Sequence, residues 1–189
     1  DGVGKRLVAL EFAGIVNCTS GGTGPSKCGC GSCRKVEKGI HPDVVIDEFA
    51  GVKNIKVDQV RDEIEEKLYL KPFEGRFKVV IVDEAEKLNN SAQNAFLKTL
   101  EEPPPASIII LVTSRPGALL PTIRSRCQPL NFGALPERYI ADVLAEKTGL
   151  SPDEAELYAR VSSGSLGAAL GLDAETMEWR REFLSALGG

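Results

Sequence analysis

No apolar run in this chain approaches the roughly 18 residues a membrane-spanning helix needs, and no signal-like segment opens it. A soluble, cytoplasmic protein with no membrane partner is the expectation. Excess positive charge is missing too: the net charge of −4 argues against holding DNA through a broadly basic surface. Any DNA contact has to be local or made by an assembly. The chain has no internal repeat and no low-complexity tract. Five cysteines in 189 residues are too few for a disulfide scaffold. There is one histidine, His41, which reads as a surface or loop residue.

What is present is globular: 42% hydrophobic and 26% charged residues, a length suited to one domain or one domain with a small appendage. The opening stretch reads as a glycine loop entering a helix, with Leu7, Leu10, Phe12 and Ile15 in the apolar pattern. Residues 19–39 are rich in Gly, Ser, Cys and Lys and cannot build an apolar core. DVVIDEF (43–49) reads as a strand, and Val57, Val60, Ile64 and Leu68 recur at helical spacing. FKVVIVDEAEKL (77–88) carries the strongest strand; its continuous rather than alternating hydrophobicity predicts burial on both faces in a parallel sheet. NNSAQNAFLKTLEEPPP reads as a capped helix with a proline stop, SIIILVTS (107–114) as another fully apolar strand and CQPLNF (127–132) as a weaker one. Strands alternating with helices predict an α/β fold. Beyond Gly133 the texture changes to helices alone, over 136–148, 152–162, 165–172 and 175–187.

Gly2, Gly4, Lys5 and Arg6 look like the end of a phosphate-binding loop, G-x-x-x-x-G-K-[ST]. There the glycine amides surround phosphate oxygens, the lysine neutralises them and the hydroxyl residue ligates Mg²⁺. Taken alone, G-x-G-K arises as readily by chance. Arg6 stands at the hydroxyl position, and a guanidinium cannot ligate Mg²⁺. Asp83 and Glu84, at the carboxyl end of the 77–88 strand, suit the second half of such a site, one acid for the metal and one for the attacking water. The bland alternative is two surface acids. Thr113 and Ser114 either orient a water or γ-phosphate, or cap their strand.

Four cysteines lie within 16 residues: Cys18, Cys28, Cys30 and Cys33. Thiolates so crowded in a core-poor loop suit tetrahedral Zn²⁺ in a structural role, with free thiols or one disulfide as alternatives. Cys127 reads as a small buried apolar residue. Arg124 and Arg126, flanking Ser125, are ordinarily a solvated face, although an arginine placed there could reach a neighbour's γ-phosphate.

Together the GVGK remnant, the cysteine cluster after the first helix, FKVVIVDEAEKL, NAFLKTLEEPP and Ser125-Arg126-Cys127 resemble the clamp-loader branch of the AAA+ ATPases, the bacterial DNA polymerase III gamma/tau and delta-prime subunits. The resemblance covers nearly the whole chain. It implies an AAA+ (P-loop) core with a parallel sheet over 1–133, carrying a zinc-binding insert at about 18–33. A small all-helical lid over 134–189 follows, and the chain is expected to be a fragment truncated at both ends. It implies partners as well: gamma/tau and delta subunits in a hetero-pentamer, the sliding clamp, and primer-template DNA through the assembly.

Two departures favour the delta-prime branch. Gamma/tau has a hydroxyl residue where Arg6 stands and a nucleotide-sensing lid arginine where this chain has Gly167. Both losses would disable hydrolysis in cis, leaving ATP/Mg²⁺ doubtful there and no ATPase activity expected from the chain alone. Arg126 is then, by resemblance, the arginine finger acting on an adjacent gamma subunit's ATP. The retained Asp83-Glu84 pair points the other way, toward an active gamma/tau-like ATPase. The single residue between Cys28 and Cys30 also departs from the family's usual C-x-x-C-x-x-C and puts Cys28 in question.

Overall fold

The computed structural model describes residues 2–47 and 53–172. The helix expected over 175–187 and the end of the 43–49 strand lie outside the described residues. The chain divides into two compact units, one of residues 6–130 and one of residues 1–5 with 131–189.

The first unit is built on a three-stranded parallel sheet in the order β1 (Val44–Asp47), β2 (Lys78–Val82), β3 (Ser107–Leu111). Val80 stands opposite Val45 on one side and Ile109 on the other. Every residue of β2 is buried, as its unbroken Val/Ile run requires of a central strand covered on both faces. Alternation along the strand divides the work. Val79 and Ile81 pack with Ala9 and Ala13 of α1 (Lys5–Val16) and Val36 of α2 (Gly31–Glu37). Val80 and Val82 face Ile55, Ile64, Leu68 and Phe96. The small residues of α1 meet the sheet, and Leu7, Val8, Phe12 and Ile15 of the same helix are exposed.

Residues 57–68 are helical throughout but not uniformly α. A π-helical stretch, Val60–Glu65, joins α3 (Val57–Gln59) to α4 (Glu66–Leu68). Val60, Ile64 and Leu68 lie in the core along it, while Glu65 accepts a hydrogen bond from Thr99. Thr99 lies on α5 (Asn90–Glu101), which starts where Asn89 accepts the Ala92 amide at 2.8 Å and stops before Pro103. The weak strand expected over 127–132 does not form. Pro129 removes a ladder donor, Leu130 is exposed, and no strand among the described residues pairs with the segment. The short α6 (Pro121–Arg124) precedes it.

In the second unit α7 (Glu137–Thr148), α8 (Pro152–Val161) and α9 (Leu166–Leu170) enclose Ile140, Leu144, Ala155, Ala159 and Ala169. Gly149 ends α7 in the left-handed region at φ 70°. Ser151 and Glu154 then cap α8 reciprocally around Pro152.

Candidate functional site

The cysteine module begins where α1 ends. Gly14 on that helix lies against Pro25: a Cβ at position 14 would fall 2.2 Å from the proline ring, so only glycine lets the 18–30 loop fold back here. The fold-back brings the sulfurs of Cys18, Cys28, Cys30 and Cys33 within 4.8 Å of one another. The Sγ atoms of Cys18 and Cys28 are 3.7 Å apart, and those of Cys18 and Cys30 4.0 Å. Thiolates bonded to one tetrahedral ion at about 2.3 Å would stand about 3.8 Å apart, so the donor set fits a metal, and Cys28 belongs to it.

The chemistry of the sulfurs agrees. The Ser20 amide donates to Cys18 Sγ and the Cys33 amide to Cys30 Sγ, each at 3.4 Å. Backbone donors, that of Ser20 foremost, lower the Cys18 thiol. The Thr19 hydroxyl, followed by the Cys33 amide, brings the Cys30 thiol down to about 5. Burial pushes Cys33 up, and the neighbouring sulfurs add to the rise. A bound cation would displace that proton.

Beneath the cluster lies a polar network that sequence reasoning missed. His41 is not a surface histidine: it is buried, with 3% of its area exposed. Its Nδ1 accepts the Asp43 amide at 3.0 Å, so the neutral ring carries its proton on Nε2, 3.1 Å from Ser32 Oγ. Ser32 in turn donates to the Asn17 carbonyl at 2.7 Å. Burial lowers the imidazole pKa more than the Glu74 carboxylate, 3.5 Å away, and Asp43 raise it. Asp43 is fully buried and accepts the amides of Phe73, Glu74 and Gly75 at 2.7, 2.8 and 2.7 Å. Asn17 Oδ1 takes the next two, Arg76 and Phe77, at 2.8 and 2.9 Å. Burial alone would raise the Asp43 carboxyl. The three amides and the Lys78 ammonium outweigh it and hold the group below the ordinary aspartate range.

The strand-end acids sit at the other end of β2. Asp83 Oδ2 is 3.7 Å from Arg6 Nε. Glu84 turns through the left-handed region at φ 48°, a conformation disfavoured by about 1 kcal/mol for a residue with a side chain, and receives Lys87 Nζ at 2.5 Å. Each acid therefore faces a cation of its own chain. The left-handed turn also directs Glu86 inward, another residue with no signal in the sequence. Its Oε1 accepts Ser114 Oγ at 2.6 Å, tying the turn after β2 to the turn after β3. Burial pushes the Glu86 carboxyl up, but the hydroxyls of Ser114 and Thr113 hold it below its usual range. Thr113 Oγ1 also accepts the Arg115 amide at 3.0 Å.

Arg126 follows α6. Its Nε and a terminal nitrogen lie 2.9 and 2.6 Å from Glu101 Oε1, and another terminal nitrogen donates to the Thr122 carbonyl at 2.9 Å. The guanidinium is thus aimed by the last residue of α5. Cys127 is half-buried, and burial raises its thiol.

Gly2 and Gly4 have φ of 72° and 94°, and with Lys5 belong to the unit of 131–189. There the Gly167 amide donates to the Gly2 carbonyl at 2.8 Å. A Cβ on Gly167 would come within 2.9 Å of Gly2 Cα, and one on Gly2 within 2.3 Å of Ser165 Oγ. The approach of the two backbones depends on both glycines.

The family model described as "DNA polymerase III, delta subunit" matches residues 1–136. The chain is 38% identical over 177 residues to DNA polymerase III subunit tau of Escherichia coli K12, covering 90% of this chain and 27% of that protein. It is 40% identical over 151 residues to subunit delta' of the same organism, covering 79% of this chain and 45% of that one. The chain therefore spans about a quarter to a half of the relatives it matches. Among solved structures, a DNA polymerase III gamma subunit-related protein of Thermotoga maritima superposes with TM-score 0.52 at 29% identity, over 89% of this chain and 59% of that one. The RuvB branch migration motor of the same organism superposes with TM-score 0.57 at 17% identity, over 89% of this chain and 48% of that one. The fold is the AAA+ fold.

Proposed function

The chain belongs to the DNA polymerase III, delta subunit family, and from that membership we propose that it is the nucleotide-site part of a delta-prime-type clamp-loader subunit, one that does not hydrolyse ATP itself. It consists of an AAA+ core over 1–133 and a helical lid over 134–189, and works in the cytoplasm. Gamma/tau and delta subunits complete its hetero-pentamer, which places the sliding clamp on primer-template DNA. The four cysteines hold a structural Zn²⁺; four protein ligands leave it no open position for chemistry.

The observation that carries this reading is the Arg6–Asp83 approach of 3.7 Å. A guanidinium beside the carboxylate that would hold Mg²⁺ opposes the metal by like charge and offers the acid a counter-charge without it. Lys87 on Glu84 adds to this by engaging the acid that would polarise water. Phosphate bound beside Arg6 would then lack the metal that hydrolysis requires. Arg126 acts in trans on a neighbouring protomer's γ-phosphate, and its tie to Glu101 supports this by restricting the guanidinium before it engages.

The experiment is an ATPase measurement on the full-length protein alone and in the reconstituted loader. The expected result is no turnover by the isolated protein. Arg126→Ala lowers turnover at the adjacent gamma site by about 10³-fold or more without dissolving the ring, the scale known for arginine fingers, and turnover by the assembled complex falls by at least that site's share. Normal turnover by the Arg126→Ala assembly defeats the trans role. The retained Asp83-Glu84 pair favours a second reading, an active gamma/tau-type ATPase, which predicts Mg²⁺-dependent turnover by the isolated protein that Lys5→Ala abolishes.

A further inference from the structure

Arg126 and Glu101 form an open ion pair, with 34% of the arginine side chain and 50% of the glutamate side chain exposed. Pairs this open contribute little to folding. The acid is also poorly placed for its own helix: Glu101 is the last residue of α5, and a carboxylate in a last turn opposes the helix dipole. Neither folding nor helix formation explains the carboxylate, whereas its contacts do.

Those contacts have a direction. A guanidinium carries five N–H donors in one plane. Nε and one terminal nitrogen, at 2.9 and 2.6 Å, both meet Glu101 Oε1, so a single oxygen takes the side edge of the group. The other terminal nitrogen donates to the Thr122 carbonyl at 2.9 Å. Its approach to Ser125 Oγ, at 3.4 Å, is longer than an ordinary N–H···O bond. One N–H on each terminal nitrogen is left without a partner among the described residues, and these two make the end fork that can grip two oxygens of a phosphate. Glu101 holds the group and leaves the phosphate-binding edge bare.

The two side chains stand on one body. Leu120, which opens α6, donates its amide to Oε1 of the buried Gln93 on α5 at 2.6 Å, and Gln93 Nε2 donates to the Ala118 carbonyl at 3.2 Å. Ile123 of α6 and Phe96 of α5 share one apolar core. Packing, not the ion pair, therefore sets the distance between Arg126 and Glu101.

We propose that Glu101 is the positioning residue of the Arg126 finger, turning the guanidinium so that its end fork meets the γ-phosphate of a nucleotide held by the neighbouring protomer. The inference rests on the trans reading of Arg126. Because one oxygen makes both contacts, the role needs an acceptor of this length rather than a negative charge, and glutamine can supply it. A finger freed from Glu101 samples other rotamers, which slows the chemical step more than it weakens ATP binding.

The test uses a loader reconstituted from full-length subunits in which the site facing Arg126 is the one ATPase site left active. Glu101→Ala should lower kcat there about ten-fold or more with the KM for ATP within about two-fold, the scale of a misplaced catalytic group. Glu101→Gln should keep most of the rate, and Glu102→Ala, at the exposed acid next along the chain, should not change it. In an Arg126→Ala background Glu101→Ala should lower kcat no further, because it acts only through the guanidinium. Melting temperatures should match the wild type, since the pair is exposed. A wild-type kcat for Glu101→Ala, in a loader that Arg126→Ala does slow, overturns the proposal. So does a further loss in the Arg126→Ala background, or a Glu101→Gln loader as slow as Glu101→Ala. If Arg126→Ala itself leaves turnover normal, the trans reading fails first and takes this proposal with it.

Discussion

Replacing Asp43 with asparagine alters one terminal atom in the interior of the first unit, and the geometry says what that costs. Asparagine can keep its oxygen toward Glu74 and Gly75, which share Oδ2, only by turning its amide toward Phe73 N and Lys78 Nζ, both on the Oδ1 side. One buried donor is then orphaned, at about 1–3 kcal/mol, and the two retained bonds lose their charge assistance, roughly another 1 kcal/mol each. Lys78 keeps its bond to the Pro42 carbonyl at 2.7 Å but loses its counter-charge. The sum is about 3–5 kcal/mol, a large part of a typical domain's total stability. Urea unfolding at pH 7 should show a midpoint lower by about 2 M with an unchanged slope, taking a slope of about 2 kcal/mol/M. The pH dependence carries a sign. Because the folded carboxyl lies below its ordinary value, the wild type's advantage is complete above about pH 4 and fades only as pH falls through the lower folded value. A deficit under about 1 kcal/mol, or one already gone at pH 5, would refute the assignment of Asp43 as the anchor of residues 73–75.

His41 works in a separate window. Burial keeps the folded ring neutral while the unfolded chain takes a proton near pH 6.5, so stability should fall as pH drops below about 6.5. Since this is the chain's one histidine, the corresponding slope should vanish in His41→Asn, and identical slopes would contradict its burial. Phe96→Ala, which empties a fully buried aromatic site beneath the sheet, should cost about 3–5 kcal/mol by thermal or urea unfolding. Arg6→Ser should make nucleotide binding more dependent on Mg²⁺, with the ratio of dissociation constants in EDTA and in Mg²⁺ rising at least ten-fold in a titration of the full-length protein. An unchanged ratio would remove the guanidinium from the metal locus.

The parallel sheet was legible because residues 79–82 of β2 are an unbroken run of β-branched residues, a pattern that burial on both faces explains. The helices with caps and proline stops were legible for the same local reason. The π-helical stretch was not: Val60, Ile64 and Leu68 satisfy either register, and the difference lies in where Glu65 meets Thr99, a residue 34 positions away. Residues 127–132 have strand-like composition but no paired neighbour among the described residues, and pairing is a tertiary fact. The convergence of the cysteines could be read from crowding and glycine content. The polar network behind them could not, since Asn17, Ser32, His41 and Asp43 are ordinary loop residues by type and come together only in three dimensions. Glu86 and Lys87 escaped notice because the left-handed turn at Glu84 decides which acid points inward, and nothing in D-E-A-E-K encodes it.

The seat of Gly2 against Gly167 restricts what position 167 can carry. Any side chain introduced at 167, an arginine included, would begin 2.9 Å from the neighbouring main chain and push the amino-terminal loop off the lid before it could sense anything. An arginine at 167 would thus need a second change elsewhere to reseat the loop, because the close approach of these two backbones leaves no room for even a first side-chain carbon.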